Sequence, residues 1–132
     1  MKKVRAFTLI ELLIVIAIIA ILTRLSYPSY QSYIIKTRRG DAQIELVKAQ
    51  LKQSSLHILN AYSDVEESIG LPINDAYYTF SIVSAAATTY LMKAVAKPGS
   101  SQQKDEIICQ TLFTDQSNNH TSDGIKSNEQ CW

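Results

Sequence analysis

An unbroken apolar run of eleven residues, 12–22 (LLIVIAIIAIL), limits what this chain can become. Lys2, Lys3 and Arg5 stand ahead of it, and Thr23-Arg24-Leu25-Ser26-Tyr27-Pro28 follows. Three architectures compete for such a segment. A secretory signal needs a small-x-small cleavage site after its apolar stretch, and no Ala-x-Ala pattern follows here. A buried helix of a soluble core leaves the basic start unexplained. A spanning helix needs roughly 20 mostly apolar residues. Residues 7–25 supply 19, with Glu11 near one end and Arg24 near the other. Arg24 can reach back to the interface. A lone carboxylate in hydrocarbon costs roughly a few kcal/mol, and such residues are usually functional. Glu11 is therefore the first candidate functional residue.

A cut between Ala6 and Phe7 would create an α-amine four residues before Glu11, cationic at neutral pH. In a bundle of parallel helices, Glu11 of one chain can pair with the Phe7 amine of the next. Each charge then lowers the burial cost of the other, and the pair fixes the axial stagger. The same carboxylate can instead sit at the membrane surface and complement the positive end of its own helix. The residues alone leave both roles open.

With 132 residues there is room for one compact domain and an appendage. Residues 41–132 carry six Lys, no Arg and eleven Asp or Glu, a balance of −5. Nucleic-acid affinity rests mainly on clustered Lys and Arg, so this acidic part argues against a phosphate-binding surface. Cys109 and Cys131 are the only cysteines. In an exported chain an even, small number reads first as one disulfide; two buried free thiols are the alternative. A bridge closing such a loop is worth roughly 3 kcal/mol in the chain-entropy model.

The stretch Phe7-Thr8-Leu9-Ile10-Glu11 after a short basic leader resembles the class III signal of type IV prepilins. The likeness runs on through the apolar helix into Tyr27-Pro28-Ser29-Tyr30-Gln31. This resemblance implies cleavage between Ala6 and Phe7 by prepilin peptidase, a membrane aspartic protease that also N-methylates Phe7. It implies that Glu11 registers incoming subunits. Two departures stand out: the family usually has Gly where this chain has Ala6, which implies slower cleavage, and many pilins have a helix-weakening Gly where this chain has Ala20. The implied domains are a leader at 1–6, a membrane anchor and filament core at 7–28, and a head at 29–132. The implied partners are other pilin subunits, prepilin peptidase, the inner-membrane pilus assembly machinery and inner-membrane lipid. Before assembly the subunit would sit in the inner membrane with its head in the periplasm, and afterwards in an extracellular pilus serving adhesion, twitching motility or DNA uptake.

Beyond the anchor, Pro28 lacks an amide donor and should kink the helix, with residues 20–28 locally unstable. Gly40 is a second soft point. Residues 41–59 are rich in helix formers. Ile44, Val47, Leu51 and Ile58 recur at helical spacing, as do Ala42, Leu46, Ala49 and Leu56. Two apolar faces suit a helix between a sheet and neighbouring subunits; a single broad core stripe is the other reading. Residues 60–75 read as a loop, broken by Gly70 and Pro72. Strands are predicted at 77–83, 88–96 and 107–114, with Lys97-Pro98-Gly99-Ser100 ending the second. A turn at 115–119 leads to a short fourth strand at 120–122. The expected fold is α+β: a long N-terminal helix packed on an antiparallel sheet of three or four strands, closed by a C-terminal disulfide loop.

A second strand ending in Ala-Lys-Pro-Gly, a Cys opening the third, a strand-Asp-turn and a final Cys131-Trp132 are similar to the tail of PilE-like minor pilins. Three rivals remain. Major pseudopilins of type II secretion systems tend to carry a calcium loop where this chain has its Cys-bounded loop. A DNA-binding competence pilin is mildly disfavoured by the acidic head, so nucleic acid is an allowed but disfavoured partner. An unrelated single-pass membrane protein would keep residues 1–6. No glycine-rich phosphate loop, nucleophile elbow or paired catalytic acid stands out, so the chain does not read as an enzyme, and no cofactor is implied. His57 and His120 read as surface histidines, with no metal ligand set around them. Asn119-His120-Thr121 matches the glycosylation sequon, a pattern frequent by chance. Tyr77, Tyr78, Phe80 and Tyr90 read as core or helix-packing residues.

Overall fold

A computed structural model of the chain describes residues 7–59, 61–123 and 126–132. Among the described residues, one α-helix, α1 (Leu9–His57), is followed by five strands: β1 (Tyr78–Ala85), β2 (Tyr90–Ala96), β3 (Thr111–Asp115), β4 (His120–Ser122) and β5 (Lys126–Ser127). The strands form one antiparallel sheet in the order β1-β2-β3-β4-β5. The chain divides into two compact units, one ending at Ile34 and one spanning Ile35–Trp132.

The first unit is helical from Leu9 onward, and none of its described residues is buried. Pro28 lies inside α1 without interrupting it. The Thr23 hydroxyl donates to the carbonyls of Ile19 (3.0 Å) and Ala20 (3.1 Å), a back-bond that weakens and bends helices locally.

In the second unit, the buried residues of α1 are Ile35, Arg39, Ala42, Leu46, Ala49 and Gln53, alternating four and three apart. That spacing keeps them on one face. The face packs in one core with Tyr78 and Phe80 of β1, Tyr90, Met92 and Ala94 of β2, and Leu112 of β3. Small Ala42 and Ala49 leave room for these bulky sheet residues. Ile44, Leu51 and Ile58 are 54%, 68% and 84% exposed, whereas Leu46 is fully buried. The two predicted faces are therefore distinct: one is core, the other is left open.

The 60–75 connection is not a plain loop. It holds a 3₁₀ turn, Glu67–Ile69, whose Ile69 joins Leu71 in the core. Gly70 ends the turn with φ +73°, a left-handed conformation that side chains resist. Gln53 ties this segment to the helix: its amide donates to the Ser63 carbonyl (2.7 Å) and accepts from the Ser63 N–H (2.8 Å). Gly99 (φ +80°) follows Pro98 in a turn closed by Ser100 N–H to the Lys97 carbonyl (3.1 Å), the geometry that Pro-Gly favours.

Three strand boundaries depart from the sequence reading. β1 runs on to Ala85 through an irregularity between Ile82 and Ser84, a bulge that patterning does not reveal. β2 begins at Tyr90 because Thr89 is held in the hairpin turn, its carbonyl accepting from Ala86 N–H (2.8 Å). Residues 107–109 are a 3₁₀ turn, not the start of β3. Cys109 N–H bonds the Glu106 carbonyl (2.7 Å), and β3 pairing with β2 starts only at Thr111 opposite Val95. Cys109 thus precedes the third strand instead of opening it. The two-residue β5 adds a strand beyond the three or four expected.

Candidate functional site

Glu11 is the only acid of the first unit, and it is already bonded. The Thr8 backbone N–H and hydroxyl each donate to Glu11 Oε2 at 3.0 Å, and Glu11 N–H donates back to Thr8 Oγ1 at 3.3 Å. Thr8-Leu9-Ile10-Glu11 is therefore a reciprocal capping box, in which the first and fourth residues satisfy each other's free amides. It starts α1 two residues after Phe7, and both Phe7 and Glu11 are exposed. Ala6 lies outside the described residues. The apolar residues from Phe7 to Leu25 are all exposed, and α1 is long and apolar enough to cross a membrane.

In the second unit, Cys109 and Cys131 are disulfide-bonded and buried. The tail they close is held at further points. Arg39 Nη1 bonds both carboxylate oxygens of Asp105 (2.9 and 3.0 Å), and its Nη2 donates to the Gln130 carbonyl (3.2 Å). Gln43 donates to the Cys131 carbonyl (2.6 Å), and Trp132 Nε1 to the Thr121 carbonyl (2.8 Å). Trp132 also stacks on His120 at 4.2 Å. Helix, disulfide and sheet all grip the C-terminal segment.

Sequence reasoning missed Arg39, Asp105, Gln43 and Gln53 as organising residues. A signal was available for two of them: Arg39 and Gln53 interrupt the apolar row at core spacing, which calls for partners elsewhere. The histidines are not simple surface residues. Both are half-buried, His57 stacks on Tyr62 at 4.1 Å, and each has one buried ring nitrogen without a hydrogen-bond partner among the described residues. Tyr78, Phe80 and Tyr90 are core residues, as their pattern predicts. Tyr77 lies half-buried beneath the Arg38 guanidinium, 3.8 Å from its ring centre. Burial pushes the phenols of Tyr78 and Tyr90 up to about 12. No group of three or more His, Cys, Asp or Glu side chains among the described residues is placed to hold a metal ion.

An exposed apolar N-terminal helix that continues into a helix-on-sheet domain, closed by a C-terminal disulfide, defines a type IV pilin. Residues 1–23 match the prokaryotic N-terminal methylation motif. Residues 28–113 match the family described as type IV minor pilin ComP, DNA uptake sequence receptor, and the chain belongs to that family of minor pilins. No individually curated protein matches it. The chain is thus a structural subunit of the type IV pilus class, membrane-anchored by its apolar helix and associated with other pilins and the pilus machinery.

Proposed function

We propose that the chain is cut between Ala6 and Phe7, N-methylated at Phe7, and held by residues 7–28 in the inner membrane with residues 29–132 as a periplasmic head. It then enters an extracellular filament in which Glu11 pairs with the Phe7 amine of an adjacent copy. Its role is structural, with no catalytic activity. The observation that carries this reading is the geometry at Glu11. All the described bonds of its carboxylate fall on Oε2, so Oε1 is open to an incoming amine without loss of the cap. The open face of Ile44, Leu51 and Ile58 supports contact with neighbouring subunits. Pro28 and the Thr23 back-bonds mark where residues 20–28 would bend or melt in the filament.

Two substitutions separate capping from registry. Glu11→Gln keeps an oxygen for Thr8 but removes the charge; Glu11→Ala removes both. Registry requires both variants to accumulate in the membrane and fail to enter filaments. Normal incorporation of Glu11→Gln would leave only the capping role. Mass spectrometry of the mature N-terminal peptide tests the cut itself: a methylated Phe7 supports it, and an intact Met1 opposes it.

A second reading is favoured by the family match, whose description names a DNA uptake sequence receptor. The head is acidic overall, so DNA contact here depends on a local set of cations. Arg39 is committed to Asp105, whereas Lys36 and Lys104 are exposed. Full-length protein in detergent should bind duplex DNA with an affinity that falls about forty-fold from 50 to 200 mM salt if three phosphates are neutralised. Salt-independent retention, or none at low salt, would count against this role.

A further inference from the structure

The first unit ends its apolar run in a short polar and aromatic band. Arg24, Tyr27 and Tyr30 follow one another every third residue and are all exposed, the two tyrosines at 64% each. Three residues turn a helix by about 300° and advance it about 4.5 Å. Successive members are therefore only about 60° apart around the axis, so the three side chains share one side of α1 as a slanting stripe. Residues 7–25 as a helix span about 28 Å, close to the roughly 30 Å of a hydrocarbon core. The stripe starts where the hydrocarbon would end.

Charge argues for what meets it. Residues 12–40 contain Arg24, Lys36, Arg38 and Arg39 and no Asp or Glu at all. Arg39 is paired with Asp105, and Arg38 lies over Tyr77. Among the described residues of its own unit, Arg24 has no such counterpart. Glu11, the unit's one acid, is about 20 Å away along the axis and bonded to Thr8. A second copy of the chain brings the same acid-free run to this level, whereas a phospholipid surface brings phosphates. The phenol oxygen of Tyr27 accepts from Gln31 Nε2 at 2.6 Å, which leaves its own proton available to donate. Thr23, Arg24 and Tyr27 line an open concavity of about 360 Å³. Tyrosine and arginine at the end of an apolar helix are suited to the headgroup layer, one by its amphipathic ring and the other by its long stem.

We propose that Arg24, Tyr27 and Tyr30 form an anchor for phospholipid headgroups, which fixes the depth of the unassembled subunit in the bilayer. This rests on the reading of residues 7–28 as a membrane anchor. Its consequence is that entry into a filament must strip these three side chains from lipid.

Depth measurements on the full chain test the anchor and the membrane reading separately. Two tryptophan probes, Tyr30→Trp and Ile16→Trp, are placed singly in the chain, reconstituted into vesicles of phosphatidylethanolamine and phosphatidylglycerol. The parent chain, with Trp132 alone, supplies the background. Lipids brominated near the headgroup should quench the position-30 probe at least twofold more than lipids brominated near the midplane, with the order reversed for position 16. Adding Arg24→Gln and Tyr27→Ser to the Tyr30→Trp chain should shift that ratio at least twofold. An unchanged ratio, or a position-30 probe quenched by neither lipid, overturns the anchor while position 16 still reports a spanning helix. If the position-16 probe is also unquenched, the membrane reading falls and the anchor with it.

Discussion

Removing the carboxylate of Asp105 should damage the head more than any other single polar change. Arg39 and Asp105 are both buried, with side-chain exposures of 9% and 4%. In Asp105→Ala the Arg39 guanidinium loses both Nη1 bonds and, among the described residues, keeps the Gln130 carbonyl at Nη2. The Glu106 N–H loses its 2.9 Å acceptor as well. Leaving a buried charge without its partner typically costs about 3–5 kcal/mol. Domains of this kind are stable by only about 5–15 kcal/mol. For a unit of roughly 100 residues, each kcal/mol moves Tm by about 4–8 °C, so the midpoint should fall by about 12 °C or more. Thermal melts of the full chain in detergent, followed by near-ultraviolet circular dichroism, give the value. The double variant Arg39→Met/Asp105→Leu should recover most of the loss, because a buried ion pair roughly breaks even against apolar groups of similar size. A loss within about 1 kcal/mol for Asp105→Ala would refute the reasoning. So would a double variant no more stable than the single one.

Three further outcomes are expected. Gly40→Ala should raise stability by about 0.8–1 kcal/mol, since Gly40 is inside α1 and an added Cβ meets nothing within 4 Å; an unchanged or lower Tm would show an obstruction. Replacing Cys109 and Cys131 together by Ser should cost about 3 kcal/mol through the freed unfolded chain, read as a lower midpoint matching that of the reduced parent. Tyr78 and Tyr90 hold their protons up to about 12 in the folded chain, against about 10 when unfolded. Their contribution to stability is therefore complete below pH 10 and is lost as pH rises from 10 to 12. A phenolate titration should show the last ionisations arriving together with unfolding; full ionisation of all tyrosines in a still-folded chain would contradict this.

The N-terminal half was legible because its information is local. Apolar length, the Thr8-Leu9-Ile10-Glu11 spacing and the single intervening carboxylate are properties of neighbouring residues. The Pro98-Gly99 turn and the 120–122 strand were readable for the same reason, as backbone preferences of short segments. The capping box itself was legible in principle but was eclipsed by the intermolecular role proposed for Glu11.

Other features depended on residues far apart in the chain. Two apolar rows on α1 had equal claim to the core by periodicity. The sheet chose Ala42, Leu46 and Ala49, because small side chains let the helix approach Tyr78, Phe80 and Tyr90 closely. Arg39 meets its carboxylate across 66 residues, a pairing that no local pattern encodes. The β-branched run at 107–114 read as continuous strand, yet the turn at Cys109 and the register of Thr111 against Val95 cut it short. Sequence determined that this chain has an apolar helix with one charge near its start, because backbone preference and hydrophobicity act over a few residues. Only the tertiary structure decided which helix face is covered and what grips the tail, since those depend on shapes and charges that folding brings together.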